Sequence, residues 1–270
     1  MKVGVVGHVE WIEFVAVARV PAPGDIVVAE EWWGEAAGGG AGAAVDLARL
    51  AGSSALFTAL GDDELGRRSA GELESHGVHV EAAWREHEPQ RRGFCYLDAE
   101  GERTITILGD KLRPQRAEPL AWESLAEFDG VYFTGGDVDA LRAARAARVL
   151  VATARELPTL AEAGVELDAL VASASDPAER YSDGDLDPPP RVIARTEGRK
   201  GGALEPGGRW GPAPLPGPKA DAYGAGDCFA AGLTFGLAQG LDPHEAAELG
   251  AQRAAEAMTR RGAYGGGSRA

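Results

Sequence analysis

The sequence predicts an α/β fold: a mostly parallel sheet with helices on both faces. Three observations predict it. Short apolar strands alternate with helical segments from Gly130 onward, which is the pattern of parallel crossover units. The chain opens on a buried-strand pattern that ends in glycine, and its last stretch carries helical spacing throughout. A length of 270 residues suits one such domain over 1–270.

Each element follows from local chemistry. KVGVVG reads as a buried strand rather than a signal peptide, since acids follow within its first apolar stretch. VPAPG, residues 20–24, is a turn, and IVVAEEWW reads as an exposed strand carrying Trp32 and Trp33. GEAAGGGAG reads as a glycine-rich loop opening into the helix AAVDLARLAG, which stops at Gly52. ALFTAL is a strand, and a helix from Glu64 to His76 ends at Gly77. Apolar runs at Gly93 and Arg103 flank DAEG, a hairpin interrupting the α/β rhythm. VYFTG, VLVATA, ALVAS and RVIART are then strands, with DALRAARAA, TLAEAG and PAERYS as helical segments between them. LDPPPR is a turn. GDCFAAGLTFGLAQG is an apolar helix, and Asp242 caps a last helix with Pro243 at its first position, running to Gly262. YGGGSRA reads as a mobile tail.

Composition narrows the function. Against 27 Lys and Arg stand 42 Asp and Glu, a net charge of −15, which excludes nucleic acid and anionic membranes as electrostatic partners. An anionic substrate must then be held locally, by backbone N–H groups or a metal ion. No apolar run reaches the roughly 18 residues of a spanning helix. Cys95 and Cys228 have no metal-like spacing, read as core residues, and fit a reducing, cytoplasmic location.

The most informative segment is DAYGAGD, residues 221–227, at the opening of a long apolar helix. Gly224, Ala225 and Gly226 let backbone approach a ligand, and their N–H groups lie where a helix N-terminus attracts anions. Asp227 beside them suits a base taking a proton from a hydroxyl, and equally suits a residue that complements the helix dipole. A second glycine pattern, Gly38-x-Gly40-x-x-Ala43 with Asp62 about twenty residues on, fits a dinucleotide fingerprint and an NAD-dependent oxidoreductase.

DAYGAGDCFAAG resembles the signature of ribokinase-like (PfkB-type) carbohydrate kinases, Asp-Thr-x-Gly-Ala-Gly-Asp-x-Phe, with Ala222 in place of Thr. The resemblance extends along the chain through KVGVVGHVEWIEF, PAPGDIV, AAGGGAGAAVDLARLAG, ALGDDELGRRSAGELESHGV, the Thr-x-Gly-x-x-Gly pattern of Thr196, Gly198 and Gly201, and AAEAMTRRGA. It implies a three-layer α/β/α sandwich with a small β-strand lid formed by about 10–37 and 83–108. It implies an ATP-dependent kinase for a hydroxyl of a small sugar. Asp227 would be the base, Gly224, Ala225 and Gly226 the anion hole, and Thr196, Gly198 and Gly201 the ATP contacts. The loop of Gly38, Gly39 and Gly40 would present backbone to the sugar. No Lys-Ser/Thr phosphate loop is present, so the helix terminus and Mg²⁺ would serve instead. A monovalent cation near Asp221 and a homodimer through the lid are further expectations of the family.

Three departures bear on specificity. Glu10, Trp11 and Ile12 stand where sugar-binding members carry Asn-x-Asp, so Glu10 is a substrate contact or a lid-base residue. Gly42 stands where an Asn is common. Where the family carries Asn-x-x-Glu to order metal-bound water, Ser173 to Asp176 offers Asp176 as an outer-shell group or a helix cap. Trp32 and Trp33 would stack on substrate, clasp a dimer or pack the lid, and Arg103 would reach a phosphate or lie on the surface. His8 has no ligand spacing. A nucleoside kinase of the same fold and a non-catalytic binding member are the alternatives.

Overall fold

The computed structural model describes residues 1–99 and 102–265. Its N-terminal half comprises β1 (Val3–Val6), β2 (Glu10–Ala16), β3 (Glu31–Ala37), α1 (Gly39–Ala51), β4 (Ser54–Gly61), α2 (Glu64–Ser75), β5 (Val78–Arg85), β6 (Arg92–Leu97) and β7 (Arg103–Leu108). Then follow β8 (Gly130–Phe133), α3 (Val138–Ala144), β9 (Leu150–Thr153), α4 (Leu157–Ala163), β10 (Ala169–Ser173), β11 (Ile193–Thr196), β12 (Gly202–Glu205), β13 (Gly208–Trp210), α5 (Ala225–Gln239) and α6 (Pro243–Ala257).

Nine strands form one sheet in the order β13-β12-β11-β10-β9-β8-β1-β4-β5, parallel except for β12 and β13 at one edge. Its strands are apolar on both faces because both are covered. Leu56 and Leu60 of β4 pack with α1, α2, α5 and α6, while Phe57 packs with α3, α4, Trp122, Leu125 and Phe128 on the opposite face. The result is a three-layer sandwich. Asp46, fully buried on α1, meets Arg253 of α6 at 2.6 Å and ties two helices of one layer together. Asp63, Asp137 and Asp242 cap α2, α3 and α6 with their side chains, and Asp242 forms a full capping box with Glu245.

A second sheet, β3-β2-β6-β7, lies to the side. Its register puts Ile12, Phe14, Trp33, Cys95 and Ile105 on one face and Trp32 and Phe94 on the other. Phe14 stacks on Trp33 at 5.1 Å and meets Tyr223 edge-on at 5.0 Å, so the inner face rests on the segment before α5.

Several expectations shift. The strand expected at residues 26–33 lies later, at β3, because pairing with β2 seats Trp33, Glu35 and Ala37 inward; the glycine loop shrinks to Gly38, at φ 89°. Ala83 to Arg85 belong to β5 of the large sheet, so the small sheet takes up the chain again at Arg92. PAERYS forms a single 3₁₀ turn, Pro177–Glu179, since Asp176 and Pro177 start a turn that no apolar face continues. The last helix ends at Ala257 rather than Gly262. Tyr264, expected in the tail, is buried against His76, with its carbonyl held by Arg49 at 2.8 Å. Residues 266–270 of that tail, and residues 100 and 101 of the DAEG turn, lie outside the described residues.

Candidate functional site

β1 has β4 on one side and β8 on the other, so strand order reverses there, and the crevice beyond the carboxyl ends of the strands is the natural ligand site. Residues that follow these strands meet in it: His8 after β1, Thr134 after β8, Arg155 after β9, Asp176 after β10 and Thr196 at the end of β11.

The N-termini of α1 and α5 converge on Asp227. A Cβ at position 39 would lie 2.7 Å from Thr134 Oγ1 and 3.1 Å from Asp227 Oδ1. At position 42 it would lie 3.5 Å from Asp227 Cβ. Gly39 therefore makes room for the Asp227 carboxylate against α1, while a Cβ at 42 would be in ordinary contact with it.

Gly224 starts α5 in the left-handed region, φ 71°, and no side chain caps the helix. Nothing lies within 4 Å of the Cβ positions of Gly224 or Gly226. The first-turn amides of a 15-residue helix thus face open space, a cradle for an anion. Asp221, 1% exposed, holds the loop in place by accepting from Tyr223 N at 2.7 Å and Gly262 N at 2.8 Å. Arg103 leans over the loop from β7, its guanidinium 5.6 Å above the Tyr223 ring and its Nη1 donating to Ala222 O at 3.3 Å. Burial, reinforced by the charge of Glu179 and opposed by Arg103 and Arg155, pushes the Asp227 carboxyl up to about 6. That suits a base working near neutrality.

The nucleotide-loop residues divide by role. Thr196 ends β11 and donates to Ala172 O at 3.3 Å. Gly198, φ 57°, has open space at its Cβ position. Gly201, φ 83°, has Trp210 O only 2.2 Å from where a Cβ would lie, so its glycine answers first to packing. Gly40 is likewise structural: a Cβ there would lie 2.6 Å from His8 O. The dinucleotide reading does not survive this placement, because the loop follows β3 of the small antiparallel pair rather than a strand of the parallel sheet.

On the other side of Asp227 the site is built from charged side chains. Glu10, buried at the start of β2, approaches His8 Nε2 at 3.4 Å and Arg91 Nε at 3.1 Å. Burial raises the Glu10 carboxyl, but His8, Arg91 and Lys111 outweigh it and hold it below the usual value. Burial lowers His8, with Glu10 opposing, so the imidazole is neutral; its Nδ1 is buried without a partner. Lys111 Nζ meets Glu156 at 3.2 Å, and Arg113 shares the same carboxylate. Sequence reasoning missed His8, Arg91, Lys111 and Glu156. They assemble from distant segments, and a lone histidine after a strand carries no spacing signal.

Asp176 caps its short turn, accepting from Ala178 N at 2.9 Å, and pairs with Arg155 at 2.6 Å. Glu179, three residues on, is the acid whose charge acts most on Asp227, and the spacing Asp176-x-x-Glu179 was readable in the sequence. Among the described residues no three His, Cys, Asp or Glu side chains form a cage for a metal ion. Mg²⁺, which keeps several waters and binds through phosphates with one or two carboxylates, fits such a site, with Glu179 and Asp227 as the acids at the cradle. Trp33 is buried in the small sheet, Trp32 is 63% exposed, and Cys95 and Cys228 are core residues. No described helix is long and apolar enough to cross a membrane.

The family model for pfkB family carbohydrate kinases matches residues 1–183 and 190–268. No curated protein sequence matches the chain. Similar solved structures include a ribokinase from Cryptococcus neoformans var. grubii serotype A in complex with ADP, at 24% identity and TM-score 0.74, covering 97% of this chain and 95% of that one. A microbiome-derived acarbose kinase, Mak1, is 23% identical with TM-score 0.78, covering 96% and 92%. An adenosine kinase from Sinorhizobium meliloti is 19% identical with TM-score 0.75, covering 97% and 95%.

Proposed function

The chain belongs to the pfkB family of carbohydrate kinases, and from that premise we propose that it transfers the γ-phosphoryl group of ATP to a hydroxyl of a small sugar-like acceptor. The observation that carries this is the uncapped α5 cradle beside a half-buried carboxylate with a raised pKa. The acceptor hydroxyl lies between Asp227 and the phosphoryl group. Its proton passes to the Asp227 carboxylate, its oxygen forms the new O–P bond, the bond from phosphorus to the β-bridging oxygen breaks, and ADP leaves with a phosphate ester as product. Amides of Gly224, Ala225, Gly226 and Asp227 offset charge on the transferring oxygens. Thr196, Gly198 and Gly201 line the nucleotide side. Glu10 and the loop of Gly38, Gly39 and Gly40 orient the acceptor.

Mg²⁺, when bound, supplies charge neutralisation at the phosphates; Glu179, and Asp176 more remotely, would hold its waters. Asp221 is the residue through which a monovalent cation would act on the loop. The small sheet, residues 10–37 with the strands up to 108, serves as the lid that excludes water. Its outer face, with Trp32 and Phe94 exposed, suits a homodimer contact. The charge of −15 and the absence of paired cysteines suit a reducing, cytoplasmic setting.

A nucleoside acceptor is the second reading, since an adenosine kinase shares the fold. The charged wall of Glu10, Arg91 and Lys111 suits a polyhydroxylated acceptor better than a planar base. The test is ADP release with ATP and Mg²⁺ across sugars, sugar acids, sugar phosphates and nucleosides. Turnover with sugar-like acceptors is expected. Turnover with adenosine alone transfers the assignment to a nucleoside kinase, and ligand binding without ADP from any acceptor contradicts a catalytic role.

A further inference from the structure

The acceptor wall gathers three cations around two carboxylates. Arg91, Lys111 and Arg113 face two carboxylates, Glu10 and Glu156, while the imidazole of His8 stays neutral. Glu156, 1% exposed, divides one negative charge between Lys111 and Arg113. Glu10 shares its charge between Arg91 and, at longer range, Lys111, with His8 beside it. Both the Arg91 and Lys111 side chains are 18% exposed, so neither cation is freely hydrated. In a chain of net charge −15, two cations held mostly buried on this wall need a physical reason.

The geometry of Arg91 narrows that reason. It lies just before β6, and Trp11 N donates to its carbonyl at 2.9 Å, which anchors its backbone beside Glu10. Its Nε is buried and lies 3.1 Å from Glu10 Oε1, yet makes no hydrogen bond in line. Among the described residues no hydrogen bond engages its guanidinium, whose forked geometry matches an anionic oxygen group. The wall is close to the base: a Cβ at position 39 would lie 3.6 Å from His8 Cε1 and 3.1 Å from Asp227 Oδ1. His8 Nδ1, buried and unpartnered, faces Gly135, whose Cβ position lies 3.5 Å from it and 3.9 Å from Glu156 Oε1.

We propose that the acceptor carries an anionic group, a carboxylate or a phosphate ester, which Arg91 and Lys111 bind. The inference rests on the kinase reading for its reaction, but the binding it asserts is measurable without turnover. The anion fills the guanidinium fork that Glu10 leaves open, and its attachment to Arg91 fixes the distance from anion to reacting hydroxyl. A neutral sugar leaves the guanidinium fork unfilled.

Two matched sets separate the sources: D-ribose, D-ribonate and D-ribose 5-phosphate, and D-glucose, D-gluconate and D-glucose 6-phosphate. Calorimetric binding without nucleotide, and ADP release with ATP and Mg²⁺, are measured for the wild type, Arg91→Gln, Lys111→Met and the charge-keeping Arg91→Lys. A charged member of at least one set is expected to bind about tenfold or more tighter than its neutral parent. Arg91→Gln then weakens that member about tenfold or more, mainly in KM, while the KM for ATP is unchanged and Arg91→Lys recovers part of the loss. Preference for the carboxylate or for the phosphate identifies the source. Neutral parents binding as well as their charged partners, or no charged member binding, overturns the inference, as does an Arg91→Gln effect equal across a set in a variant of unchanged Tm. Charged members that bind in this Arg91-dependent way without ADP release uphold the inference and count against the kinase reading alone.

Discussion

The two ends of the crevice are made of different materials. The proposed phosphate end is backbone: the α5 amides with open space over Gly224 and Gly226, reached through one contiguous stretch of seven residues. The proposed acceptor end is side chain: Glu10 with Arg91 and Lys111 with Glu156, partners 81 and 45 residues apart in sequence. A backbone site tolerates changes that leave small residues and a helix start in place. A side-chain site changes its ligand with one substitution. The difference explains how a signature for phosphoryl transfer persists beside an acceptor wall that departs from the family's Asn-x-Asp pattern.

The sharpest way to break this comparison is to fill the cradle. Gly226→Val meets nothing within 4 Å and has no unusual φ to strain, so the fold is expected to keep its Tm within a few degrees. ATP-dependent turnover is nonetheless expected to fall about 10²- to 10³-fold, because the side chain enters the space reserved for phosphate oxygens. Gly201→Ala is the control. Its Cβ would lie 2.2 Å from Trp210 O at φ 83°, so thermal denaturation is expected to show a large loss of stability, about 2 kcal/mol or more. Equal stability losses in the two variants would erase the distinction.

At the acceptor end, Glu10→Gln removes the partner of a half-buried guanidinium. The expected loss is about 1–3 kcal/mol of stability by denaturant titration, with a raised KM for the acceptor and an unchanged KM for ATP. Because the Glu10 carboxyl is held below its ordinary value, its stabilisation is present above the unfolded pKa and is lost as pH falls through the lowered one. The wild type, but not Glu10→Gln, carries this acid-side loss.

Two raised carboxyls give smaller, opposite-signed effects. With Asp227 at about 6, kcat/KM is expected to rise with pH along an acid limb centred near that value. Glu35, on the inner face of the small sheet, is pushed up to about 8 by burial, with the Ala263 amide opposing and Glu72 adding to the rise. A raised carboxyl destabilises as pH rises from its unfolded value toward its folded one. Glu35→Gln is therefore expected to gain Tm over the wild type by a few degrees at pH 9 and by less at pH 5, in paired melting curves.

The parallel sheet and its helices were legible in the sequence because period and caps are local: Gly52, Gly77 and Asp242 punctuate helices where expected. The position of β3 was not, because cross-strand pairing with β2 decides it rather than the aromatic run at Trp32. The same division holds within the site. Asp227 and its glycines could be read in one motif. Gly39 and Gly42 as the walls of the Asp227 carboxylate, and His8 and Arg91 as partners of Glu10, needed the fold to bring separate segments together.

The most direct test of the central claim is ADP release by Asp227→Asn at saturating ATP and Mg²⁺, with ATP binding measured on the same sample. Since the amide is nearly isosteric with the carboxylate and Gly39 leaves room for it, the variant should fold and nucleotide binding should stay close to wild type. Turnover is expected to fall by about 10³-fold or more, because an amide cannot accept the hydroxyl proton. Turnover within about tenfold of wild type would contradict Asp227 as the base and, with it, the account of this crevice as a phosphoryl-transfer site.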